Sequence, residues 1–403
     1  MSSKPQAVAG GVAGAMALPT ARASLTPPRP WLDNAFPIVN SNNPYNNPII
    51  EGGDFVDSPP YGLWNDPNVI KVGSAYWMYM TTSTDNSAPF LPPVEPFRAT
   101  SSDGISWTLA PTTKLFSTAG SPFVSHETPS VINFDGAYHM YYTGKYADGT
   151  FAIGHASSSD GSTSWTNHGL LLAPTGDDDD FYGTAAAEPA AVLFDSKLYL
   201  YFTGVTPRKV GGVLQYTPQK QVLGLMTSTD GSSFTTPVEV LAANEDKYPP
   251  NYGSGGSGNP NKRGYVGYST PSAAVSPDGN MHLMYDVAVF GGSSPTKPYQ
   301  QILLNHSVSS NGTSGWVEDA ADMTLDRKDF YWSGGRGRGD DAEVIGPSLM
   351  FDSDGKVKMW WTGHDDVVGL AEFIDRGYEG PEAGAIGYSE MLLADFLSIP
   401  KST

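Results

Sequence analysis

Five times along this chain a proline-centred strand start is followed by an aromatic-rich second strand. The starts read Asp66-Pro67-Asn68-Val69, Thr128-Pro129-Ser130-Val131, Glu188-Pro189-Ala190-Ala191, Thr270-Pro271-Ser272-Ala273 and Gly346-Pro347-Ser348-Leu349, and their prolines lie 62, 60, 82 and 76 residues apart. Self-similarity at such a period marks a repeat architecture, in which no unit buries its faces alone and each must pack on its neighbours.

Every repeat reads as a hairpin. NVIKVG (68–73) turns at Gly73-Ser74 into AYWMYMTT (75–82), and SVINF (130–134) turns at Asp135-Gly136 into AYHMYYTG (137–144). AAVLF (190–194), AAVSP (273–277) and SLMFD (348–352) lead in the same way into KLYLYFTG, NMHLMYD and KVKMWWTG. Asp-Gly between alternating apolar runs is a strong hairpin signal, because the glycine takes a positive φ at little cost. A second signature follows in four units: Ser101-Ser102-Asp103-Gly104, Ser158-Ser159-Asp160-Gly161, Ser228-Thr229-Asp230-Gly231 and Ser309-Ser310-Asn311-Gly312, each trailed by Trp107, Trp165, Phe234 or Trp316. This element reads as structural, with the acid or amide capping a turn and the aromatic packing the outer strand. The fifth unit keeps only a degenerate copy, IGYSE (386–390). Its last strand needs a partner from the other terminus, and Trp31-Leu32-Asp33-Asn34-Ala35-Phe36 is expected to supply it. A linear solenoid would not need such closure. The pattern therefore predicts an all-β fold, a five-bladed β-propeller of four-stranded antiparallel blades around a central axial pocket.

Composition agrees. Aromatics at 12 % against 16 % charged residues, with 45 Gly and 33 Pro, suit short strands and tight turns. No segment reaches the roughly 18–20 apolar residues that span a bilayer. A formal charge of −19 repels phosphate backbones and sets nucleic acid aside as a partner. The absence of cysteine excludes disulfides, thiolate metal sites and a cysteine nucleophile. Residues 7–18 are small and apolar and Ala21-Arg22-Ala23 has the form of a cleavage site, so residues 1–30 read as an export leader and linker before one domain over 31–403. A secreted or periplasmic monomer is expected.

The chemistry sits at the prolines. Blades one to three carry an acid at or beside the proline, namely Asp66, Glu127 and Glu188, whereas blades four and five carry Thr270 and Gly346. Taken singly, each carboxylate could cap a turn, but a role imposed by symmetry would appear in all five blades. A ring would bring the three acids to one axial pocket. Two carboxylates flanking a glycosidic bond suffice to cleave it: one protonates the leaving oxygen, and the other activates water or attacks carbon. Crowding and burial would raise one of their pKa values, as the acid role requires.

Trp64-Asn65-Asp66-Pro67-Asn68 ahead of its aromatic hairpin resembles the first-blade motif of the five-bladed glycoside hydrolases. These are the family-43 arabinanases and xylosidases and the fructan hydrolases. The resemblance spans about residues 31–400 at the level of blade pattern. It implies that Asp66 is catalytic base or nucleophile, that Glu188 is the general acid, and that Glu127 orients the acid and tunes its pKa. The Arg-Asp-Pro and Glu-Cys motifs of fructan enzymes are missing, which leaves a furanosidase of another kind, arabinan-like in substrate, ahead of them. The related families also hold one cation near the axis through a histidine, a place open to His364 or His282 with Ca²⁺ as the ion. No cofactor is required.

Further residues are candidates for binding the carbohydrate. Trp64 with Trp77 could stack on a sugar face, Asn65 and His126 could meet its hydroxyls, and Asp85 could reach the pocket as an alternative acid. Arg98, Arg336 and Arg338 could pair with a carboxylate and hold it ionised. Competing readings are a sialidase, from the Ser-x-Asp-Gly boxes, a glycosyl-transferring or phosphorolytic enzyme of the same fold, and a non-catalytic carbohydrate-binding propeller.

Overall fold

The computed structural model describes residues 49–50, 64–83, 93–210, 213–243, 247, 265–294, 297–320, 342–365 and 385–402. These form five antiparallel sheets. Blade 1 runs β1 (Asn65–Val72), β2 (Ala75–Ser83), β3 (Val94–Ser101) and β4 (Thr108–Leu109), from the axis outwards. Blade 2 is β5 (Ser125–Phe134), β6 (Ala137–Lys145), β7 (Phe151–Ser158) and β8 (Trp165–Leu172). Blade 3 is β9 (Ala185–Phe194), β10 (Lys197–Val210), β11 (Val213–Ser228) and β12 (Val238–Leu241). Blade 4 is β13 (Tyr265–Val275), β14 (Met281–Ser294), β15 (Lys297–Ser309) and β16 (Val317–Glu318). Blade 5 has β17 (Ala342–Phe351), β18 (Lys356–Asp365) and β19 (Ala385–Leu392), followed by a short helix α1 (Leu393–Leu397). The first strands touch in the order β1, β5, β9, β13, β17 and back to β1, which closes a ring. The chain is a five-bladed β-propeller.

The core is divided. Five clusters of buried apolar side chains lie one at each blade interface, such as Met80, Phe97, Trp360 and Tyr388 between blades 5 and 1. Alternating side chains send one face of a strand into each neighbouring interface, so burial drives the ring to close rather than to stack linearly.

Hydrogen bonds across these interfaces repeat with the blades. On the outer side, Tyr79 Oη donates to the Gly161 carbonyl at 2.8 Å, Tyr141 Oη to Gly231 at 2.7 Å, Tyr201 Oη to Gly312 at 2.6 Å and Trp360 Nε1 to Gly104 at 2.8 Å. The Ser-x-Asp-Gly turns are thus sockets for the preceding blade's aromatic. Their glycines are required for room as well as for φ, since a Cβ on Gly231 would sit 2.6 Å from the His139 ring. Among the described residues blade 5 carries no such turn, and Tyr285 of blade 4 bonds Ser307 of its own blade at 2.8 Å.

Near the axis a second belt joins the first strands. The residue after each proline offers a side-chain oxygen to a main-chain N–H of the next blade: Asn68 to Val131 at 2.8 Å, Ser130 to Ala191 at 2.8 Å, Ser272 to Leu349 at 2.9 Å and Ser348 to Val69 at 2.9 Å. The belt breaks once. Blade 3 has Ala190 at this place, with no oxygen to offer Ala273.

Closure at blade 5 involves a second stretch from the N-terminal side. Ile49 and Ile50 pair with β19: Ile50 bridges Ile386, and Ile386 N donates to the Ile50 carbonyl at 2.9 Å. Residues 31–36 lie outside the described residues. The C-terminal tail returns to blade 4, where Ser402 N donates to the Glu318 carbonyl at 2.8 Å.

Ala190 is 4 % exposed, so a serine there would meet the belt rather than water. Ala190→Ser is expected to stabilise the fold by about 1 kcal/mol, the net worth of one buried hydrogen bond, and Ser130→Ala to cost about as much. Calorimetry measures both. A melting temperature unmoved by Ala190→Ser would mean that the Ala273 N–H is already served.

Candidate active site

Each first strand runs past its proline rather than starting there. Register with the second strand slips at the same place in all five blades, between Asn65/Asn68, Glu127/Ser130, Ala187/Ala190, Ser269/Ser272 and Ile345/Ser348. The slip ejects the residue before the proline together with the proline, which has no N–H to lose from the ladder. The ejected residue is left-handed in every case: Asp66 (φ 56°), Thr128 (46°), Glu188 (54°), Thr270 (46°) and Gly346 (59°). A positive φ is uncommon for any residue with a Cβ and an outlier for threonine, and such strain gathers at functional sites. These five residues ring one end of an axial cavity of about 160 Å³ whose walls are the first strands.

Asp66 and Glu188 occupy equivalent ring positions and are held alike. Asp66 Oδ2 accepts Thr81 Oγ1–H at 2.8 Å and the Thr128 N–H at 3.4 Å. Glu188 Oε2 accepts Thr203 Oγ1–H at 2.6 Å and the Thr270 N–H at 2.9 Å. In both, the threonine comes from the acid's own second strand and the N–H from the next blade's ring residue. Between the two acids, Thr128 Oγ1 bonds Thr143 Oγ1, which also accepts the Glu188 N–H at 2.6 Å. A continuous hydrogen-bonded path therefore fixes the two carboxyl groups relative to each other. Burial raises the Glu188 pKa; the Thr203 and Thr270 bonds oppose it, and the Asp66 charge adds to it.

Glu127 does not share this position, which corrects the sequence reading. Thr128 stands immediately before Pro129, and Glu127 lies one residue earlier, paired with Thr143 and outside the cavity walls. It remains in electrostatic reach. Burial, followed by the Asp66 and Glu188 charges against the opposing Lys145, pushes its carboxyl up to about 7.

Other expectations are also redrawn. Trp64 is fully buried in the interface of blades 5 and 1, edge-on to Phe97 at 5.5 Å, and is no sugar platform. Trp77 stacks on Tyr138 at 5.7 Å between blades 1 and 2. Arg98 lies over the Trp77 ring at 4.2 Å, donates to the Ala110 carbonyl and Ser162 Oγ, and does not reach the cavity. Asn65 is buried in the strand just before the bulge. His126 faces away from the cavity among Phe116, Phe123 and Tyr142, and burial lowers its pKa to about 4, leaving it neutral.

His282 bonds Ser276 Oγ and His306 at 2.9 Å each, which occupies both ring nitrogens away from the axis. His364 pairs through its main chain with Glu343 in blade 5, and its side chain is not described. Asp85, Arg336 and Arg338 lie outside the described residues. Among the described residues no three of His, Asp or Glu gather as a metal set.

Two features of the site escaped the sequence reading. Thr81, Thr143, Thr203 and Thr362 recur in the second strands, and Thr362 Oγ1 accepts the Asp66 N–H at 2.9 Å. Blade 4 has Asp286 in their place, buried, with its Oδ2 3.4 Å from the Gly346 N–H. The signal was the threonine recurring at the end of four of the five aromatic strands.

Glu127 supplies a test. A carboxyl raised from 4.5 to about 7 favours the folded state fully below its unfolded value, and that advantage is lost as pH rises towards 7. Glu127→Gln is therefore expected to gain about 1–3 kcal/mol of relative stability at pH 8 and little at pH 4. Denaturant midpoints at the two pH values measure it; equal effects would refute the assignment.

No sequence-family model matches this chain, and no curated protein matches it in sequence. Solved structures do match in shape. A thermostable family-43 glycoside hydrolase aligns with TM-score 0.54 and 14 % identity over 81 % of this chain and 88 % of its own. A protein described as a glycoside hydrolase aligns with TM-score 0.57 and 13 % identity over 85 % and 91 %. An endo-arabinase from Bacteroides thetaiotaomicron aligns with TM-score 0.52 and 12 % identity over 83 % and 96 %. The chain has the five-bladed β-propeller fold of family-43 glycoside hydrolases and their relatives.

Proposed function

We propose that this protein is a glycoside hydrolase acting on a polysaccharide or oligosaccharide with furanose units, arabinan-like in character. One observation carries the reading: two carboxyl groups at equivalent ring positions, each tethered through one oxygen by two donors, border a single cavity. The tethers fix how each carboxyl group is held at the cavity. Glu188 is the proton donor. Its proton sits on Oε1 while Oε2 accepts its two bonds, and it passes to the glycosidic oxygen as the C–O bond breaks. Asp66 is the partner that takes a proton from water or attacks the anomeric carbon. Glu127, its carboxyl pushed up to about 7, acts through charge only as pH rises to that value, where its ionised form favours the protonated form of Glu188. The shape neighbours named as glycoside hydrolases support the reaction class, and the endo-arabinase among them supports the sugar. The leader-like N-terminus is in keeping with action outside the cytoplasm.

Reducing-sugar release is the test, on arabinan, arabinogalactan, xylan, levan and inulin. Asp66→Asn and Glu188→Gln are each expected to lower kcat by a factor of about 10²–10⁴ where activity is found. Full activity in both variants would remove the assignment, and glycan binding without turnover would make the protein a carbohydrate-binding propeller. The anomer first released, followed by NMR, tells direct attack by Asp66 from activation of water.

A further inference from the structure

The second-strand threonines have a role that neither the fold nor the reaction class requires. We propose that Thr81 and Thr203 are positioning residues that set the proton affinities of Asp66 and Glu188 separately, one hydroxyl to one acid. The inference rests on the proposed reading of these acids as the reacting pair.

Both hydroxyls are buried, with Thr81 and Thr203 each 1 % exposed. Each donates to a single carboxylate oxygen, at 2.8 Å and 2.6 Å. Thr143, Thr203 and Thr362 share one task, each accepting the N–H of the next blade's ring residue, from Glu188 at 2.6 Å, Thr270 at 2.9 Å and Asp66 at 2.9 Å. They differ in what else they meet: Thr143 bonds Thr128, blade 2 having no acid on the ring, whereas Thr203 donates to the Glu188 of its own blade. Donation to a carboxylate thus occurs where the ring residue of the same blade is an acid, and a purely structural threonine would not sort in this way. Chemistry gives the sign. An O–H donor stabilises the ionised carboxylate, so its removal makes the acid hold its proton more tightly. Valine is the closest apolar replacement in shape. It leaves Asp66 with the Thr128 N–H and Glu188 with the Thr270 N–H, so neither acid loses its tether entirely.

The two acids do opposite work, so the two losses should appear at opposite ends of the pH profile. Asp66 works ionised. Thr81→Val should therefore move the acidic limb of kcat/KM up by about one pH unit and leave the alkaline limb in place. Glu188 works protonated, and Thr203→Val should move the alkaline limb up by a similar amount and leave the acidic limb. Serine at either position keeps the hydroxyl and should restore the original limb.

The deciding measurement needs no substrate. Carboxyl ¹³C NMR titration of the full protein, with Asp66 and Glu188 assigned from the Asp66→Asn and Glu188→Gln spectra, follows each group directly. Thr81→Val is expected to raise the Asp66 midpoint alone, and Thr203→Val the Glu188 midpoint alone, each by about one pH unit. Unmoved midpoints, or both moving in both variants, would overturn the inference. If a valine protein does not fold, alanine at the same position removes the same hydroxyl without a branched side chain. Loss of turnover in Asp66→Asn and Glu188→Gln tests the reaction itself, so separate midpoints without such a loss would refute the reaction and leave the pairing intact.

Discussion

The site depends on one local distortion made five times. A proline in the first strand of each blade cannot supply a ladder N–H, so the strand bulges there, and the residue before it turns left-handed and faces the axis. Without the bulge, alternation along the strand would send Asp66 and Glu188 towards blade interfaces. With it, Asp66 and Glu188 come onto one ring with Thr128 between them. Position is fixed by backbone chemistry common to all blades, and identity varies freely from blade to blade. The ring can therefore be lopsided, with acids in blades 1 and 3, threonines in 2 and 4 and a glycine in 5, while the frame stays regular.

The frame is held at two radii. Aromatic hydroxyls and an indole reach glycine carbonyls on the outside, and short polar side chains reach main-chain N–H groups near the axis. Each bond is modest after exchange with water. Their value lies in direction: apolar clusters alone would let a blade slide against its neighbour, whereas the two belts fix its height and tilt. The paired carboxyl groups inherit that rigidity through Thr128 and Thr143.

Much of this was legible in the sequence. Five proline motifs and Asp-Gly hairpins gave blade number and strand order, because turn chemistry and alternation are local. Glu127 was misplaced for a local reason too: it lies beside Thr128, and only the residue directly before the proline enters the ring. Trp64 and His126 adjoin the motif in sequence but fill blade interfaces, and Arg98 sits on the third strand of blade 1, two strands out from the axis. The threonine tethers were not legible, because each depends on which blade's side chain meets which main chain. The contact of Ile49 and Ile50 with β19 rests on which stretch happens to reach that edge, and no local pattern fixes that.

The described N-terminal pair and the C-terminal tail make contact at different seams. Ile49 and Ile50 complete the edge of blade 5, while the last residues pass over α1 and dock on the outer strand of blade 4, where Lys401 pairs with Asp319. The chain therefore overlaps itself by one blade, like a strap drawn past its buckle. Opening the ring between blades 5 and 1 means peeling the N-terminal pair, and opening it between blades 4 and 5 means peeling the tail. Neither act releases the other, so tension on one end is borne by a single interface and the opposite arc keeps its acids in register.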